Sequence, residues 1–555
     1  MTDKKLTGYP SIDKPWLKYY SDEAINAPLP ECTMYEYLKE HNKEHLDDVA
    51  LVYFDKEISY KELFEKIDRA AVAFKALGVS NGDIVTIQST MLPQVVYMIY
   101  ALSKIGAIAN LIYVTSPAEE VEQNLAETNS KLYIVPDFVY GSLQMNLDSS
   151  IKVVIMTATD ELMPQEGKSE SNTGIIGWNE FMSFSSSQNC EISGKNEDVV
   201  IMVYTGGTTG KSKAVMLTNY AMNTAAVQYG ALEFGRHEIF LCLLPPFIAF
   251  GLTVTLHVPL IYGTKSIICV SIDPTDISEF VEKYHPHNIV CGTAQAEKMI
   301  MSLGEKNIDL SNLKFIGVGG DALSASLENR INEFLSAHGS SAKIIQGYAM
   351  SEIAACGTGS VYRIHKKEKA GIPFVHNTIK IVDPDTNKEM SYNEAGEVCF
   401  NSPSVMTGYY HNEEETNDML KWHDDGKLWV HTGDIGSLDE DGFITIVGRI
   451  KRMILTSESN VFHKVFPKII EDKLIKTGYI SAVSIVGKPS EARTNDLVAF
   501  IVTDSKDTQS VISALSEFAD TTLESYERPI KYVVVDKLPL TTVGKVDYRA
   551  LEKMA

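Results

Sequence analysis

From Leu51 onward, short β-rich apolar runs alternate with stretches whose apolar residues recur every three to four positions. The runs at 84–88 (IVTIQ), 131–135 (KLYIV) and 153–156 (VVIM) read as strands, and 60–77 and 94–105 read as helices. The physical basis is the side-chain period: two for a strand, 3.6 for a helix. A second series of this kind runs from Val199 to about Asn377, and 379–448 reads as strands and turns, clearest at 396–401 and 442–448. Beyond Gly448, strand-like runs at 482–486, 497–502 and 531–535 alternate with a helical pattern at 510–521, over a length that suits a small domain. The stretch 159–173, rich in Glu, Ser, Gly and Asn without an apolar period, reads as an exposed loop. No internal repeat is visible, and the grammar is that of an α/β fold.

Composition adds scale and sign to this picture. A chain of 555 residues with 44% hydrophobic content is longer than one ordinary core, so two or more globular units are expected. The formal net charge of −23 is spread over interspersed acids and bases with no long basic run, a field that repels nucleic acid and anionic membrane. An anionic cofactor therefore needs a local cradle. The seven cysteines stand singly, with no CxxC pair and no matching histidine cluster, which suggests reduced thiols rather than a disulfide framework or a zinc site. The first twenty residues lack the apolar core of a signal peptide, and no later stretch reaches the roughly 18 apolar residues of a membrane helix. A cytoplasmic protein without integral membrane contact is expected.

The cradle is found after the strand-like run VVIMVY, where the chain reads TGGTTGKSK at 205–213. Gly206, Gly207 and Gly210 let backbone N–H groups approach an anion closely, the hydroxyls of Thr205, Thr208 and Thr209 add donors, and Lys211 and Lys213 supply charge. The GKS triplet looks like the end of a Walker A loop, but the lead glycine would fall at Thr205. A Walker loop also opens a helix at its Lys-Ser, whereas Lys213 is followed by a β-tolerant run to Leu217, and Thr218-Asn219 is the better helix cap.

This loop resembles the YTSGTTGxPKG signature of the adenylate-forming superfamily, which includes acyl-CoA synthetases, luciferases and the adenylation domains of peptide synthetases. Further family motifs follow in the family's order: GGDAL at 319–323, QGYAMSE at 346–352, GEVCFNSPSVMTGYY at 396–410, HTGDIG at 431–436, GRIKRMI at 448–454 and LPLTTVGK at 538–545, with ISYKEL at 58–63 near the start. The resemblance covers nearly the whole chain. It implies a large N-terminal domain of sheets with packed helices, 1–450, and a small mobile C-terminal α+β domain, 451–555, with the active site in the cleft between them and the hinge at Lys451. It also implies the chemistry: ATP activates an organic acid as an acyl-AMP with loss of pyrophosphate, and CoA then takes the acyl group as a thioester.

By the same resemblance, 205–213 holds the β- and γ-phosphates, with Thr205, Gly206, Gly207, Thr208, Thr209, Gly210 and Lys213 as its contacts. Ser351, where the family has Thr, meets the α-phosphate, and Glu352 holds the Mg²⁺ that bridges phosphate oxygens. Tyr348 offers a flat face to adenine, backbone groups of Gly320, Asp321 and Gly347 line the base pocket, and Asp434 with Arg449 meets the ribose. Lys545 binds both the attacking carboxylate and the α-phosphate as the P–O bond forms. Lys451 is the point about which the small domain swings between adenylation and thioester-forming poses.

Several positions depart from the family pattern. Ser212 replaces a Pro and Ala214 a Gly in the phosphate loop, while Ala349 replaces the Gly after the adenine tyrosine and places a methyl where the acyl group enters. Phe247, Ile248 and Gly251 of PPFIAFG at 245–251, with Ala349, are expected to line the substrate pocket, and Ile248 stands where acyl-CoA synthetases have His and amino-acid-activating domains have Asp. An apolar side chain cannot pair an ammonium, so a fatty or aryl acid is expected rather than an amino acid. After the hinge the family continues IKxxGxxVxPxEIE, but this chain reads ILTSESNVFHKVFPKIIE, with Leu455 at the Lys position, Glu458 at the Gly position and about four extra residues before Pro467. That departure leaves two acceptors open, CoA or the phosphopantetheine of an acyl carrier protein, and places a negative charge near the thiol path. A protein that binds ATP without ligation is disfavoured, because it has no use for the Lys545 loop.

Overall fold

The computed structural model describes residues 6–162, 174–184, 190–205, 212–270, 276–304, 306–320, 323–458, 461–490, 492–540 and 546–555. Among these residues, two helix-covered sheets dominate the first two thirds of the chain. One has eight strands in the order 408–409, 213–218, 199–205, 108–112, 84–88, 132–136, 152–156 and 175–177. The other has seven, in the order 344–346, 315–319, 288–292, 239–242, 265–268, 49–53 and 56–59. The inner strands pair in parallel, and their side chains are buried on both faces, which is why they read as apolar runs rather than as alternating ones.

The helices follow their sequence signals. Ser59 caps Tyr60–Ala76 by accepting from the Glu62 N–H at 3.2 Å, and Pro93 opens Pro93–Ile105, which ends on Gly106 at φ +75°. Every residue of Pro93–Ile105 is buried, as befits a helix enclosed by the sheet and its neighbours. The predicted strands and helices lie within a residue or two of the observed ones through this region. The segment 157–162 is turn-like with Glu161 buried rather than exposed, since its carboxylate is met by Lys66 at 3.2 Å; the remainder of the predicted loop, 163–173, lies outside the described residues.

A third, antiparallel sheet is built on the long strand Leu428–Leu438, flanked by Gly396–Asn401 on one side and by Leu420–Trp422 and Ile444–Arg449 on the other. Past Arg449 the chain forms a hairpin, Ile454–Glu458 against Val461–Val465, then a three-stranded sheet of Ala482–Ser490, Thr494–Val502 and Lys531–Val534 carrying the helices Pro467–Ile475 and Thr508–Thr522. Ile454, Ile470, Leu474, Ile485, Ala499 and Leu515 form a core of their own there, separate from the main one. The architecture is thus a large α/β region of sheets and packed helices followed by a small α+β region. No helix among the described residues is long and apolar enough to cross a membrane.

All seven cysteines are free. The fold does bring Cys399 beside His431 and Glu397, a juxtaposition that single cysteines and a dispersed histidine count do not reveal. Cys399 and His431 are cross-strand partners, and the Glu397 carboxylate is engaged by the His431 ring at 2.8 Å and by the Gly433 N–H at 2.9 Å.

Candidate active site

The phosphate loop is slung between two strands of the eight-stranded sheet. Val199–Thr205 and Lys213–Thr218 pair antiparallel, so that Thr205 lies opposite Lys213 and fixes the two ends of the loop. Ser212 tightens the junction, its hydroxyl donating to the Thr205 carbonyl at 2.7 Å. The chain leaves the loop as a strand and enters a helix only at Asn219, capped by Thr218, which accepts from the Ala221 N–H at 3.1 Å. That is not the strand–loop–helix of a Walker NTPase. The Thr205 hydroxyl is buried with no partner among the described residues, as expected of a donor reserved for a ligand. Gly206, Gly207, Thr208, Thr209, Gly210 and Lys211 lie outside the described residues, as do Asp321 and Lys545.

Lys213 and Glu352 meet through a residue that the motif reading did not single out. The short strand Gly408–Tyr409 adds to the sheet edge beside Lys213–Thr218, with Tyr409 opposite Val215. The Lys213 ammonium sits 4.4 Å from the centre of the Tyr409 ring, a cation–π contact, while the Tyr409 hydroxyl donates to Glu352 Oε1 at 2.6 Å. Burial and the neighbouring Glu352 push the Tyr409 phenol far above its ordinary value, so it stays a donor. One tyrosine therefore joins the phosphate-loop lysine to the carboxylate expected to hold metal.

Glu352 is 5% exposed, in the 3-10 turn Ser351–Ile353. The turn is held by unusual backbone: Ala354 and Ala355 follow at φ +48° and +58°, a region that disfavours residues with a Cβ, and the Tyr229 hydroxyl secures Ala355 by donating to its carbonyl at 2.7 Å. Among the described residues none donates to Glu352 Oε2. A hard carboxylate oxygen of this kind, in a site that also recruits phosphate oxygens, fits Mg²⁺. Ser351 is half-buried beside it.

The residues predicted for adenine and ribose are one hydrogen-bonded unit. Tyr348 donates to Asp434 Oδ2 at 2.6 Å, and Asp434 Oδ1 pairs with Arg449 Nε at 2.9 Å. Asp434 and Arg449 are cross-strand partners of Leu428–Leu438 and Ile444–Arg449, so the sheet register itself brings them together. Burial, reinforced by Asp434, pushes the Tyr348 phenol well above its usual value and keeps it a donor. Burial works against the Arg449 charge, but Asp434, Tyr348 and Glu352 outweigh it and raise the guanidinium above its ordinary value. Gly347 and Gly320 flank this unit: a Cβ on Gly347 would stand 3.0 Å from the Thr358 carbonyl, and Gly320 adopts φ +89°.

The residues expected at the acyl end are dispersed in environment. Phe247 is buried with its ring 4.9 Å from that of Tyr113, Ile248 is 37% exposed at the start of Ala249–Leu252, and Ala349 is exposed. Gly251 is required by packing, since a Cβ there would fall 2.2 Å from the Pro245 carbonyl. Glu397, His431 and Thr432, missed as site residues, set the position of Asp434: Glu397 accepts from the Gly433 N–H, and Thr432 Oγ1 accepts from the Asp434 N–H at 3.0 Å. The Glu397 side chain meets Gly433 only once the strands are paired, and no spacing in the sequence announces it.

The fold is shared with solved adenylate-forming structures. It is similar to the crystal structure of the anthranilate CoA ligase AuaEII in complex with anthranoyl-AMP, with a TM-score of 0.79, 21% identity and coverage of 96% of this chain and 98% of that one. It is equally similar to ATP-bound MatB from Rhodopseudomonas palustris, with a TM-score of 0.79, 20% identity and coverage of 94% and 98%. The chain belongs to the AMP-binding enzyme family: the family's main model matches residues 38–410, and its C-terminal domain model matches 470–545. Among curated relatives it is 26% identical to a long-chain-fatty-acid–CoA ligase of Bacillus subtilis (strain 168), over 97% of both chains. It is also 26% identical to 4-coumarate–CoA ligase-like 3 of Arabidopsis thaliana, over 90% of this chain and 88% of that one.

Proposed function

We propose that this protein is an AMP-forming acid:CoA ligase whose substrate is a hydrophobic carboxylic acid, fatty or aryl. The observation that carries the reading is the Tyr409 bridge, which sets a phosphate-loop cation and a buried carboxylate side by side next to the Asp434–Arg449 pair. A carboxylate oxygen of the acid attacks the α-phosphorus of ATP, the bond to pyrophosphate breaks, and acyl-AMP forms. The CoA sulfur then bonds to the acyl carbon as AMP leaves. Lys213 and Thr205 serve the triphosphate, Ser351 the α-phosphate, and Tyr348, Asp434 and Arg449 the nucleoside. Mg²⁺, held by Glu352, would neutralise phosphate charge. The described residues on either side of 541–545 are joined, by the Leu540–Val546 bridge and by the Asp547 N–H donating to the Pro539 carbonyl at 2.8 Å, and the Lys545 ammonium would serve the reacting carboxylate. Carboxylate-dependent exchange of labelled pyrophosphate into ATP, over a panel of fatty, aryl and amino acids, tests the reading. Exchange with apolar acids and none with amino acids is expected; exchange driven only by amino acids would contradict it.

The placement of the hinge at Lys451, with domains 1–450 and 451–555, rests on how its neighbours are tied. Arg449 is held by Asp434 of the large region, whereas Arg452 is held by Glu471 at 2.7 Å and stacks 3.8 Å over the Tyr548 ring of the small one. Lys451 lies exposed between these opposed anchors. Two ion pairs among the described residues reach across, Lys464–Asp385 and Lys476–Glu368; both are at the surface and contribute about 0–1 kcal/mol each. Lys451→Pro fixes φ at the turn and should leave pyrophosphate exchange within about twofold of the parent while abolishing thioester formation. Equal loss of both activities would remove the hinge role.

The hairpin after the hinge bears on the acceptor. The extra residues lengthen it, and Glu458 does not carry an uncompensated charge: it accepts from the Ser525 hydroxyl at 2.5 Å and lies 3.9 Å from the Arg493 guanidinium. With that charge tied back to the small region, the electrostatic argument against CoA loses its force. A carrier-protein phosphopantetheine presents the same thiol, and single-turnover discharge of acyl-AMP by free CoA distinguishes the two.

A further inference from the structure

Lys213 is not held by Tyr409 alone. Its ammonium also pairs with Glu415 Oε2 at 3.0 Å, in a half-exposed contact. Glu415 belongs to the turn of helix Glu413–Met419, and its position is rigidly tied to that of the lysine. Asn412 caps the helix, its side chain accepting from the Glu415 N–H at 3.1 Å. Thr416 Oγ1 accepts from the Tyr409 N–H at 2.9 Å, and Tyr409 lies in the strand beside Lys213–Thr218. A Cβ on Gly408 would fall 2.9 Å from the Thr416 side chain, so glycine there lets helix and strand approach. Thr407 and Tyr410 donate their N–H groups to the carbonyls of Met216 and Ala214 at 3.0 and 2.9 Å, completing the attachment to the strand. The carboxylate is therefore built into the strand assembly that carries the lysine, not laid on it by a flexible arm.

Resting on the ATP reading above, we propose that Glu415 is a positioning residue that occupies Lys213 in the nucleotide-free site and yields it to the triphosphate. A carboxylate and a phosphate oxygen both seek the same ammonium, and a lysine is a point charge with rotatable donors that can be handed from one to the other while its Tyr409 contact persists. The Lys213 partnership holds the Glu415 carboxyl below its ordinary range, with Lys451 adding to the effect. Lys451 is thus a second cation near Glu415, so the carboxylate is not left without a countercharge when Lys213 turns to phosphate. The contact therefore works against ATP alone: the triphosphate must displace Glu415 to reach Lys213, whereas AMP, lacking β- and γ-phosphates, leaves the pair in place.

The test is titration calorimetry of the full chain with MgATP and with AMP, comparing the parent with Glu415→Gln, Glu415→Asp and the neighbouring control Glu414→Gln. Glu414 is exposed and removes the same charge without touching Lys213. Glu415→Gln should tighten ATP binding about twofold to fivefold, the range set by a half-exposed ion pair, and leave AMP binding unchanged. Glu415→Asp should restore most of the parent's behaviour. In pyrophosphate exchange Glu415→Gln should lower the KM for ATP with kcat little altered. Weaker ATP binding in Glu415→Gln, equal shifts for ATP and AMP, or the same gain in Glu414→Gln would each overturn the proposal while leaving the ATP reading intact. Absence of ATP binding to every protein, parent included, would overturn both.

Discussion

Replacing Lys545 by alanine should lower the rate of acyl-AMP formation by about 10²–10³-fold while ATP affinity stays within a few-fold of the parent. The asymmetry follows from when the charge is needed. On the proposed reading, ground-state ATP would be held by the phosphate loop, by Glu352 through Mg²⁺ and by the Asp434 unit, so one more ammonium adds little. As the carboxylate oxygen closes on the α-phosphorus, negative charge concentrates between two groups that repel each other, and a single cation bound to both relieves that repulsion most in the transition state. Single-turnover formation of acyl-AMP together with an independent ATP binding isotherm measures the two quantities. An unchanged adenylation rate would take Lys545 out of the mechanism, and a parallel collapse of ATP affinity would make it a binding residue instead.

Asp434→Ala should show the opposite signature, weakening ATP and AMP binding alike by about tenfold to a hundredfold, the cost of losing charge-assisted hydrogen bonds in a buried setting. Asp434 is 5% exposed and accepts from both Tyr348 and Arg449, so its removal strands a buried phenol and a guanidinium as well as the ribose. Asp434→Asn, which keeps the shape and one acceptor, should recover part of the loss. Equal nucleotide affinity in parent and alanine variant would contradict the role. Because ATP and AMP share the nucleoside, this variant also separates the Asp434 unit from the Lys213–Glu415 contact, which distinguishes the two nucleotides.

The sequence by itself determined the class of fold and the candidates for nucleotide handling. Parallel strands buried on both faces had to be apolar runs, helices had to carry caps and a one-sided stripe, and a phosphate loop had to concentrate glycine, hydroxyl and lysine in one place; these are local requirements, visible one segment at a time. The strand after Lys213 is likewise legible, because Ala214 to Leu217 lacks any helix start, and a strand lies there in the fold. What tertiary structure decided are the relations between segments. Tyr409 is 196 positions from Lys213 and 57 from Glu352, and nothing local marks a tyrosine as the link between them until the strand Gly408–Tyr409 docks on the sheet edge. Tyr348 and Asp434, predicted for separate ends of the nucleoside, become one unit through a hydrogen bond across 86 positions, and Arg449 joins them only because two strands pair in one register. Glu458 carries a full charge in the sequence and a tied one in the fold, since Ser525 and Arg493 lie far along the chain. A residue's type and neighbours are written in its segment, but which charge faces which is set by sheet register and by the packing of distant elements, and those are properties of the whole chain.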